Sequence, residues 1–158
     1  MESNSIKDNI KNSESNKELA QHVRNLQEKF AYYIIGLDVA AIGFAIHQTV
    51  NQPLNYSQIP VGVAVICWSF SIWSGLSLLI TTIESYKANI NYIETGKGRN
   101  IMVGNDPNRI ALARSIFYEK MVKSAEKGLP LFKRMNILFK LGVMLFIIWH
   151  VWEMYNLT

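Results

Sequence analysis

Three stretches of this chain are apolar and long enough to cross a bilayer, and they limit the fold more than any other feature. Phe30–Val50 is 21 residues with one Asp, Glu, Lys or Arg, Asp38. A helix of that length covers about 31 Å, the thickness of the hydrocarbon core of a bilayer. Pro60–Thr82 is 23 residues with none. Met135–Trp152 carries one Lys, Lys140, and no Asp, Glu or Arg. Helices and closed barrels alone satisfy their backbone in lipid. Runs of this length and polarity are helical, so the expected fold is an all-α integral membrane protein with three transmembrane helices.

The average composition hides this segregation. The chain is 49% hydrophobic and 18% charged, with a net charge of +4, but all charged residues except Asp38, Lys140 and Glu153 lie in 1–29 and 84–134. The basic residues flank membrane segments, so anionic lipid at the cytoplasmic face is the expected partner, and nucleic acid is not. The single cysteine, Cys67, rules out an intrachain disulfide or a cysteine metal cluster. No nucleophile–base pair or cofactor motif is visible, so the chain reads as non-enzymatic, without a cofactor or a metal site.

Taken in order, residues 1–15 are polar and read as a disordered N-terminus. Ser15 and Glu18 fit a capping box. Leu19, Val23, Leu26, Phe30, Tyr33 and Leu37 then recur every three or four residues, one helical stripe entering the first span. A turn around Pro53 follows, and Pro60 suits the first turn of a second helix. That helix runs past its span through Ile83, Tyr86, Ile90 and Ile93 to a stop at Gly96. Residues 16–95 therefore read as a long antiparallel hairpin with spans at 30–50 and 60–82. Its cytoplasmic halves are expected to zip Leu19/Val23/Leu26 against Ile83/Tyr86/Ile90/Ile93. Residues 96–134 read as a loop, then one cytoplasmic amphipathic helix from Asp106-Pro107 to a stop at Gly128 and Pro130. Residues 135–158 read as the third span and a short outer tail.

Orientation follows from Lys and Arg in the flanks. Five precede the first span and ten lie in 84–134, against none in 51–59 and none after Trp152. The expected placement is a multi-pass inner-membrane protein with its N-terminus in the cytoplasm and its C-terminus outside.

A few polar residues stand out. Asp38 is expensive in a membrane and needs protein or water beside it. It shares a helical face with Ile34, Ala41 and Ala45, while Ile35, Val39, Ile42 and Ile46 lie on a face assigned to lipid. Lys140 stands at comparable depth on the third span. The two read as an intramembrane polar pair or an ion site; the rivals are a bond from Asp38 to Ser71 or Ser74, with Lys140 snorkelling to the headgroups. Gly36, Ala40 and Gly43 on the first span, and Ala64, Ser71 and Gly75 on the second, are small residues that permit close helix packing within one chain or between copies. His47, His150 and Glu153 form an outer polar cluster of interfacial side chains. Lys97 and Arg99, between glycines, and Arg114, on an otherwise apolar helix face, are candidate contacts for an anion or lipid headgroup. Arg114 also has Glu84 and Glu94 as candidate partners.

The run Glu28-Lys29-Phe30-Ala31-Tyr32-Tyr33, with Gly43-Phe44-Ala45 and Gln48-Thr49, resembles small uncharacterised bacterial inner-membrane proteins whose opening helix enters a first span. The layout of 16–95 resembles the two-span hairpin effector modules of bacterial conflict systems; the third span departs from that pattern. The resemblance implies a protein that self-associates as a homo-oligomer and alters membrane permeability on a cytoplasmic signal, protein or small molecule. The alternative is a static inner-membrane partner, such as a toxin-immunity or scaffold subunit.

Overall fold

A computed structural model describes residues 2–50, 56–100, 103–104 and 106–156. The described residues are helical, without strands, and hold three helices long and apolar enough to cross a membrane. They are α1 (Glu2–Thr49), α2 (Ile59–Gly96) and α3 (Pro107–Asn156), with a single 3-10 turn, Tyr56–Gln58, before α2. The expected turn at 51–55 lies outside the described residues.

Two helices are longer than their local signals suggest. α1 is helical from Glu2, well ahead of the start expected near Ser15. No glycine or proline occurs before Gly36, so nothing in the sequence stops the helix from propagating outward. α3 passes through Gly128 and Pro130 without ending. The expected amphipathic helix and the third span are therefore one helix of 50 residues. Pro130 is exposed, and Gly128 lies against Leu78 of α2.

The α2–α3 connection uses its glycines for turning. The Lys97 amide donates to the Ile93 carbonyl, Gly98 to Thr95 and Arg99 to Glu94. Gly98 has φ of 67°, the left-handed conformation that closes a helix, so it makes the stop expected of Gly96. At the far end of the loop, the Asp106 carboxylate accepts from the Asn108 amide at 2.9 Å, capping α3.

α2 runs antiparallel to both neighbours and packs on α3 along most of its length; α1 joins over a shorter stretch. Small residues on α2 make that approach possible: Ala64, Ser71, Ser74, Gly75, Ser85 and Ala88 are all buried. Two apolar layers fill the interior. Ala31, Ile34, Leu78 and Met135 form one. Ala45, Val61, Ala64, Trp68 and Trp149 form the other, nearer the C-terminal end of α3.

The basic half differs from the expected zip. Leu19, Val23 and Leu26 are exposed, as are Ile83, Ile90 and Ile93. α1 turns Arg24, Gln27 and Glu28 toward α2 and α3 instead. The basic half of α2 is covered by the first half of α3, where Tyr92 and Tyr118 pack with ring centroids 6.3 Å apart.

Candidate functional site: a buried carboxyl between two apolar layers

Asp38 is fully buried, and neither carboxyl oxygen has a hydrogen-bond partner. The α1 face that carries it is the face that enters the bundle, with Ile34 and Ala45 buried beside it. Part of the face assigned to lipid also turns inward. Ile35 lies against Gly75, where a Cβ would come within 3.0 Å of it, and Ile42 packs on the outer layer.

Around Asp38 the side chains are small or polar. Ser71 is fully buried and close enough to interact with the carboxyl, but its hydroxyl donates to the Met135 carbonyl at 3.1 Å. Ser74 spends its hydroxyl on the Phe70 carbonyl at 2.8 Å, within its own helix. Asp38 and Ser71 therefore make a thin polar layer between the two apolar ones. Glycine permits this closeness. Gly75 sits under Ile35 and Met135, and a Cβ on Gly142 would lie 2.5 Å from Trp68 Nε1.

Lys140 does not reach this layer. Phe30 meets Phe132 and Phe44 meets Phe146, each pair 102 residues apart, and Asp38 and Lys140 have the same separation. The two thus stand at matching heights, as expected. Lys140, however, is exposed on the outside of the bundle, and no ion pair joins it to Asp38. The pair fails for an angular reason: Asp38 turns into the bundle and Lys140 turns out of it.

Toward the basic end, a crevice of about 150 Å³ lies between all three helices. Arg24 and Glu28 of α1, Thr81, Thr82 and Ser85 of α2, and Ser124 of α3 supply its polar wall, and Leu78 and Phe132 lie beside the inner apolar layer. One Glu28 oxygen, Oε1, is buried without a partner. The Tyr86 hydroxyl is held above its usual range, first by burial and then by the Glu28 carboxylate beside it, against a smaller opposite pull from Arg24.

The remaining candidates disperse. Arg114 binds neither Glu84 nor Glu94. Its guanidinium lies 4.6 Å from the centroid of the Tyr92 ring and donates to the Tyr92 hydroxyl at 2.8 Å. It also lies against Gly96 in the last turn of α2. The amides of Lys97 and Arg99 are already bonded to α2 carbonyls, so the loop offers no amide nest for phosphate there. His47 and His150 are exposed, and His150 stacks on Phe146 at 6.4 Å. Among the described residues, no group of three or more His, Cys, Asp or Glu is placed to hold a metal. Of the small-residue stripes, Ala64, Ser71 and Gly75 pack inside the bundle. Gly36, Ala40 and Gly43 are exposed, and nothing lies within 4 Å of a Cβ at either glycine.

Trp68, Met135, Gly142 and Glu28 were not singled out from the sequence. Gly142 alone carried a usable signal, a lone glycine in a long apolar helix, which often marks close approach.

No protein family, curated protein or solved structure matches this chain.

Proposed function

We propose that this chain is a non-enzymatic, three-span inner-membrane protein that self-associates through α1 and alters membrane permeability on a cytoplasmic signal. Its N-terminus is cytoplasmic and its C-terminus outside, as the Lys and Arg distribution requires. In that setting Lys140 is one and a half turns past Arg134, and its stem directs the ammonium toward the cytoplasmic headgroups.

The observation that carries this reading is the open face of α1. Leu19, Leu26, Tyr33 and Leu37 are 62%, 53%, 72% and 55% exposed, and Gly36, Ala40 and Gly43 continue the same side of the helix. Lipid suffices for the part of this face inside the membrane. It does not cover Leu19, Val23 and Leu26, which stand in the water-exposed half at coiled-coil spacing. The small residues of the inner part allow a second helix to approach closely. A single bundle is filled by its two apolar layers, so any conducting path lies between copies rather than within one.

Three measurements test this. Reporter fusions active outside the membrane should work after Thr158 and fail after Arg99; activity at Arg99 reverses the orientation. In a Cys67→Ser background, single cysteines at Leu19 and Leu26 should crosslink copies in isolated membranes, and one at buried Ala88 should not. Induced expression should depolarise cells, and Leu26→Glu should abolish both depolarisation and crosslinking. Crosslinking without depolarisation favours the static partner or scaffold.

A further inference from the structure

We propose that Asp38 is a proton-binding site: it holds a proton at neutral pH in the folded bundle, and Ser71 couples its occupancy to α3 through the Met135 carbonyl. This does not depend on self-association.

The ligand follows from what surrounds the carboxyl. An isolated ion in an apolar interior is costly enough that the group becomes neutral instead. No cation offsets the charge here. On α1, Lys29 stands nine residues away toward the basic end, next to Glu28, and His47 nine residues the other way. Tyr32 and Tyr33, nearer in sequence, are exposed. On α2 the closest titratable group is Cys67, a turn beyond Ser71; Glu84 and Tyr86 lie beyond the inner apolar layer. On α3, Lys133, Arg134, Lys140 and His150 are all exposed. A metal ion is a poorer fit. Such ions take about six oxygen ligands, and this layer supplies the carboxyl, one hydroxyl and one carbonyl.

A proton supplies the donor that the carboxyl lacks. The neutral acid has one O–H to donate, and the Ser71 oxygen can accept it while still donating to Met135. The chain then reads Asp38 to Ser71 to Met135, each donor with an acceptor. When the proton leaves, the carboxylate can only accept. Ser71 has one proton, and turning it to Asp38 takes it from the Met135 carbonyl. Proton release therefore removes the hydrogen bond that ties α2 to α3 at this level.

Infrared spectroscopy of the full chain in lipid vesicles tests this without a variant. The sequence has three aspartates, Asp8, Asp38 and Asp106. Asp8 stands in the polar N-terminal stretch and Asp106 is exposed. With carbon-13 aspartate, an isotope-shifted C=O stretch of a protonated carboxyl at neutral pH belongs to Asp38. We expect that band at neutral pH, its loss as the pH is raised, and a frequency shift in Ser71→Ala, which removes the acceptor. Absence of an aspartic-acid band at neutral pH in the folded protein overturns the proposal. A band unmoved by Ser71→Ala overturns the coupling. Asp38→Asn imitates the neutral acid and gives an independent check. Loss of the proton charges the buried layer in the natural chain but not in Asp38→Asn, so the melting temperature of the natural chain should fall as the pH is raised, and that of Asp38→Asn should fall less. Equal slopes overturn it.

Discussion

α2 and α3 are fitted to each other along their lengths, whereas α1 is attached by one segment of one face. The contrast lies in where the small residues go. In the apposed faces of α2 and α3, two glycines sit where an added Cβ would crowd a large partner: Gly75 under Ile35 and Met135, and Gly142 under Trp68. On α1, Gly36 and Gly43 face nothing within the chain. A glycine opposite a large side chain fixes register, because any slip of the helices produces a clash. A glycine opposite nothing leaves register free. The same residue type thus locks the inner faces of the bundle, Ile35 of α1 included, and leaves the outer face of α1 available.

Mutation can break or sharpen this contrast, with unfolding of the detergent-solubilised monomer as the measurement. The largest effect is expected for Trp68→Ala, which empties the outer layer and should cost about 3–5 kcal/mol. Gly142→Ala should cost about 1–3 kcal/mol, because the new methyl must displace the indole of Trp68; a neutral result would show that the α2–α3 fit is loose. Arg114→Lys should cost about 1 kcal/mol, since lysine cannot stack on the Tyr92 ring and donate to its hydroxyl at once. Gly36→Ala and Gly43→Ala should be neutral or stabilising by at most about 0.5–1 kcal/mol, through helix propensity alone. A loss as large as that of Gly142→Ala would mean that the open face of α1 is packed after all.

The apolar half was largely readable from the sequence, because hydropathy and helical periodicity act over twenty residues and cannot easily be overruled. They give the three long helices, and the wheel places Asp38 on the same face as Ile34 and Ala45. The basic half was less readable, because its signals are local. Gly128 and Pro130 form a valid stop, but α2 packs against α3 on both sides of them, and one missing N–H is a small loss beside that packing. The stalk pairing fails for a related reason. The basic half of α2 has two usable faces, and periodicity selected the larger side chains. Packing selected Ser85, Ala88 and Thr95, which bring α3 close. The aromatic partner of Arg114 was within reach: an arginine on an apolar face has rings as well as carboxylates to choose from, and Tyr92 lies one turn from the end of α2.

The length of α1 has a mechanical consequence. It is unbroken from Glu2 to Thr49, and among the described side chains those packed on α2 and α3 begin at Arg24. Glu2 is about 54 Å along the axis from Asp38. The helix is therefore a lever pivoted near its carboxyl, and a tilt of about 5° there swings the N-terminus by about 5 Å. A change too small to disturb either apolar layer at the pivot becomes a displacement of a whole side chain at the tip.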